Sequence, residues 1–135
     1  MTTRREWQDK WIAALRSRKY HQATNMLKDE KGCMCCLGVA KRIYQGKHAF
    51  DAYDAHDDED NQRCENLGND LDVMQAFGFA DEDGDFLSPV KFKIGDREAR
   101  ITSFVSANDH HGLSFAEIAD LAEQHRDKVF LPESK

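Results

Sequence analysis

Trp7, Trp11, Ile12 and Leu15 fall on one stripe of a helical period, and Thr3 and Glu6 stand ahead of them at the spacing of a capping box. The pattern predicts a helix from about Arg4 to Ser17. The following "HQATNMLKDEKG" has weak periodicity and ends in a charged glycine turn, so a loop with a short turn of helix is expected. From Cys35 onward Cys36, Leu37, Ala40, Ile43 and Tyr44 recur at helical intervals and stop before Gly46, which predicts a second, buried helix. Leu67, Leu71, Met74 and Phe77 mark one face of a third, ended by Gly78.

The period then changes. Asp83-Gly84 is a tight-turn dipeptide; Val90, Phe92 and Ile94 alternate with lysines, "GDRE" turns, and Ala99, Ile101 and Ser103 alternate back. A short hairpin with one side on the core follows from that alternation. Ser114 and Glu117 form a second capping box with Leu113 and Ile118 at the staple positions, so a helix from Ser114 to about Gln124 should turn Phe115, Ile118, Ala119 and Ala122 inward. The expected class is α+β, one helix-dominated domain of about four helices and a short antiparallel hairpin.

Composition adds a compartment and a charge pattern. The 135 residues suit one domain, which buries roughly two-thirds of its unfolded surface. No apolar run approaches the roughly 18 residues of a membrane span, and "MTTRREWQDKW" has no apolar signal region, so a soluble protein of the cytoplasm is expected. Cys33, Cys35 and Cys36 crowd together while Cys64 stands apart, the usage of reduced thiols rather than of a disulfide framework. The net charge of −6 divides unevenly: residues 1–47 carry 11 Lys/Arg against 4 Asp/Glu, and residues 48–89 carry 1 against 13. A mobile acidic loop is expected at about 47–64. The overall sign speaks against direct nucleic-acid binding, whereas Arg4, Arg5, Lys10, Arg16, Arg18 and Lys19 make a basic first helix able to meet an anionic ligand.

Two chemistries compete with packing for the cysteines. Cys33 and Cys36 have the gap of a zinc knuckle, and Cys64 with His48 or His56 could complete a ligand set, but a second close pair is missing. Cys35 or Cys36 at a helix start could be an activated nucleophile of a hydrolase or transferase, with His110 or His111 as base and Asn108 or Asp109 orienting it. Against both, free cysteine on an apolar helical face is a small hydrophobe. Gly38 gives up about 1 kcal/mol of helix propensity, which points to a close neighbour at that position, either another backbone or a bulky ring such as Trp7, Trp11 or Phe115. "DEDGD" lacks the glycine and the final glutamate of an EF-hand loop, and no phosphate-cradling glycine loop is present. No cofactor is expected.

Three islands, "WIAALRSRKYHQ", "CCLGV" and "NDHHGLSFAEIADL", resemble a family of small uncharacterised proteins of tailed bacteriophages and prophages. The chain departs from that pattern at Ala40 and Lys41, where relatives often have another cysteine, and in the acidic insert around Asp57. The resemblance implies a viral or prophage origin and an accessory role in the host-cell cytoplasm; together with the missing catalytic constellation and the segregated charge it leads to the expectation of a host-takeover or counter-defence inhibitor that binds a host protein or a small anionic, nucleotide-type signal. It assigns no catalytic residue and leaves oligomerisation open. The residues it brings forward as ligand- or partner-binding are Tyr20, Gln22, Asn108 and Asp109.

Overall fold

The structure is a computed structural model that describes residues 2–24, 26–50, 67–68 and 70–133. Helix α1 spans Arg4–Arg16, α2 Cys36–Gln45, α3 Leu71–Phe77, α4 Phe104–Asp109, α5 Phe115–Gln124 and α6 Arg126–Val129; strands β1, Asp85–Ile94, and β2, Arg97–Ser103, lie between α3 and α4. The class is the expected helix-dominated α+β. Both capping boxes form, Thr3 with Glu6 on α1 and Ser114 with Glu117 on α5. Each cap satisfies amide donors that a helix start otherwise leaves without acceptors.

The hairpin is antiparallel, with Val90 opposite Ile101 and Phe92 opposite Ala99 across a turn at Gly95 and Asp96. The register slips between Asp85 and Val90, where Phe86 to Pro89 bulge out. Proline has no N–H to give a ladder, so the bulge is where it fits. The bulge tucks Phe86 against Phe104, ring centres 4.9 Å apart, and leaves Leu87 outside.

Trp11 is the centre of the core. Its ring meets Phe77, Phe79, Phe104 and Phe130 edge-on at 4.9 to 6.4 Å, and its indole N–H donates to the Cys36 carbonyl at 2.9 Å. Edge-to-face packing suits aromatic quadrupoles, and the hydrogen bond satisfies the one polar atom buried there. Trp11 thereby joins α1 to α2, α4, the segment after α3 and the segment after α6.

Two expectations need correction. The third helix begins at Leu71 rather than before it: Leu67 is buried ahead of the helix, Leu71 is 64% exposed, and Val73, Met74 and Phe77 form the inner face. The 21–32 stretch contains no helical turn among its described residues; it is a loop tied down by bridges of Gln22 and Lys28 to Met34, with Leu27 fully buried. The stretch after Ser103, which the pattern of the sequence leaves unassigned, is α4, which Ser103 caps by accepting the Ser106 amide at 3.0 Å. Of the acidic loop expected at 47–64, Lys47 and His48 belong to a turn of 3-10 helix and Phe50 is buried, while 51–64 lies outside the described residues.

Candidate functional site

Asn108, fully buried on α4, is where the three sequence islands meet. Its Oδ1 accepts from the Gln22 side chain at 2.8 Å and from the Cys36 backbone N–H at 3.2 Å. Its Nδ2 donates to the Ala23 carbonyl at 2.8 Å and to Asp109 Oδ1 at 2.7 Å. Gln22 also donates to the Leu113 carbonyl at 2.8 Å. The Asn108 carboxamide thus fastens the 20–34 loop to the start of α2, and the Gln22 carboxamide adds the approach to α5. Gln22, Asn108 and Asp109 come together, and the first two have a packing duty. Tyr20 stays at the core's edge, half-buried under the Lys19 ammonium, 5.7 Å from its ring centre.

The thiols sit inside this knot. Cys35 is the N-cap residue of α2 and 3% exposed, and Cys36 is wholly buried. Burial pushes the Cys35 thiol up to about 12 and the Cys36 thiol well above its ordinary value, so desolvation outweighs the backbone amides that favour a thiolate. Cys36 gives its S–H to the Phe104 carbonyl at 3.5 Å. Among the described residues neither thiol is hydrogen-bonded to a histidine; His110 is exposed at the end of α4 and His111 is half-buried just after it. Cys33 is half-buried, its amide held by Asp29. Among the described residues no three His, Cys, Asp or Glu side chains group to hold a metal ion; Cys64 and His56 lie outside those residues.

The concavity that could receive a ligand is elsewhere. A cleft of about 530 Å³ opens between the first turn of α1, α6 and the segment after it, lined by Arg4, Arg5, Leu87, Arg126, Phe130 and Glu133 among others. A neighbouring cavity of about 490 Å³, which includes Trp7 and Tyr44, shares Arg4 and Glu133 with it. Arg4 is spent on backbone carbonyls, those of Gln75 and Pro132, and Arg126 is bound to Gln8 and Asp9. The Arg5 guanidinium has no hydrogen bond or ion pair among the described residues. Leu87, 49% exposed, gives the cleft an apolar edge.

The basic first helix is therefore not one surface. Arg16 reaches Asp120 at 2.7 Å and Glu123 at 3.0 Å on α5, and Lys10 lies over the Trp7 ring at 4.6 Å. Only Arg4 and Arg5 of that set line the cleft. Their basic character was legible; the partners from β1, α6 and the last described segment are too far along the chain for any spacing to join them.

Residues 3–126 match the family described as a domain of unknown function, DUF8296. The chain belongs to this family. The matched span holds the Asn108 knot and the cleft's three arginines, and ends before the 130–133 segment. No curated protein and no solved structure matches the chain.

Proposed function

We propose that this member of DUF8296 is a binding protein that takes an anionic group, a carboxylate or a phosphate, in the arginine-lined cleft. The observation that carries the reading is Arg5: a planar guanidinium without a partner among the described residues, beside an apolar edge at Leu87. Such a fork matches two oxygens of a carboxylate or phosphate at once, and a concave, partly apolar wall with few polar groups is the usual form of a ligand site. The burial of Cys35 and Cys36 supports binding over thiol catalysis. The resemblance of the three islands to phage and prophage proteins supports an accessory role against a host component or its signal molecule in the host cytoplasm.

Amide NMR shifts recorded while inorganic phosphate or an acidic peptide is added test the reading. Shifts should gather at Arg4 to Gln8 and Arg126 to Glu133 and vanish in Arg5→Ala. Shifts confined to other parts of the fold, or none at millimolar concentration, contradict it.

A further inference from the structure

The segment after α6 lies against the cleft in the manner of a bound peptide. Phe130 has extended backbone angles, φ −124° and ψ 150°. The Leu131 N–H donates to the Gly78 carbonyl at 2.7 Å, the Pro132 carbonyl accepts from Arg4 Nη1, and Glu133 Oε1 accepts the Arg5 backbone N–H at 2.9 Å. Gly78 makes room for this: a Cβ there would stand 3.0 Å from the Leu131 oxygen.

We propose that Leu131 to Glu133 are an internal ligand, seated in a groove that docks an extended acidic segment of a partner protein, and that they are displaced when the partner binds. The inference rests on the reading of the cleft as an anion site. Among the described residues every polar contact to these three uses their backbone or a carboxylate, so any extended peptide carrying an acidic side chain in the same place can repeat them. The internal ligand is also incomplete. Glu133 takes the Arg5 amide but not the Arg5 guanidinium, so an incoming acidic segment has a charge-assisted contact that the resident one lacks. Phe130 is the fixed end, 3% exposed and packed on Trp11, Phe79 and Phe104, which lets the residues after it move without opening the core. Glu133 and Arg4 line both cavities, so the internal ligand sits where the two adjoin.

The test uses the full chain, wild type and Glu133→Gln, and a labelled acetyl-Leu-Pro-Glu-Glu amide followed by fluorescence anisotropy and by the Arg5 amide resonance. That resonance should move when Glu133 is replaced by Gln, because the carboxylate accepts the Arg5 amide. The peptide should bind Glu133→Gln about two- to fivefold tighter, the size of one exposed carboxylate contact at a helix start, and restore the Arg5 amide shift. A peptide with both glutamates changed to glutamine should lose binding. Equal affinity for the two proteins overturns the internal ligand while leaving the anion cleft intact. Phosphate binding without peptide binding overturns the peptide groove alone, and silence of the Arg5 amide to both probes overturns the cleft as well. Matching thermal melts of the two proteins exclude misfolding as the cause.

Discussion

Gly38 shows how much a single residue can disclose and where it stops. Its poor helix propensity inside an apolar stripe marks a close approach, and one exists: a Cβ at Gly38 would lie 2.0 Å from the Leu27 carbonyl oxygen and 3.1 Å from the Met34 Cβ. The neighbour is backbone from the 20–34 loop, not Trp7, Trp11 or Phe115, because that carbonyl is held down by the Cys35 amide at 3.2 Å. A loop without periodicity gives no sign in sequence that it carries a core leucine. Gly38→Leu should therefore reach or pass the top of the ~1–3 kcal/mol range for overpacking, whereas Cys36→Ala loses one sulfur and about 1 kcal/mol. Thermal melts of the two variants compare them directly; a tolerated Gly38→Leu contradicts the close contact. Asn108→Asp should cost about 3 kcal/mol, since a carboxylate cannot donate to the Ala23 carbonyl and would face Asp109, and chemical denaturation measures it. In sequence, Asn108 and Gln22 looked like residues awaiting a ligand; only the three-dimensional meeting of loop, α2 and α4 reveals that they bind each other.

At the scale of elements, legibility followed length and caps. Helices α1 and α5 carry capping boxes and full periods and lie within a residue or two of where the sequence puts them, while α4 and α6, with 6 and 4 residues, are too short for a period. The hairpin was legible from Val90 onward because its alternation matches one buried face, and the bulge before it broke the alternation. That junction carries a pH dependence. Asp85 is raised from 3.8 to about 6 by burial, by its hydrogen bond to Asp81 and by the charges of Asp81 and Asp83. A carboxylate raised on folding binds more protons in the folded chain, so its contribution to stability is greatest below pH 3.8 and is lost as pH climbs towards about 6. Asp85→Asn should flatten the melting temperature across that window and raise it at neutral pH relative to wild type. A melting profile unchanged by the substitution contradicts the assignment.

Across the whole molecule, the residues most visible as a pattern build the scaffold, and the concave surface is assembled from residues that are individually ordinary. Trp11, Cys36 and Asn108 interlock in one buried knot, tied from the exposed side by Gln22, while the cleft draws on α1, β1, α6 and the segment after it. Among the described residues no helix is long and apolar enough to cross a membrane. The account stands on the buried thiols of the Asn108 knot being scaffold, and native-state thiol alkylation, read residue by residue by mass spectrometry across a denaturant series, tests this most directly. Cys33 should label readily in buffer, and Cys35 and Cys36 should label only through global unfolding, their opening free energies falling with denaturant at the same slope as the equilibrium unfolding of the chain. Rapid labelling of Cys35 or Cys36 at neutral pH in the folded protein would contradict the account and return the thiols to chemistry.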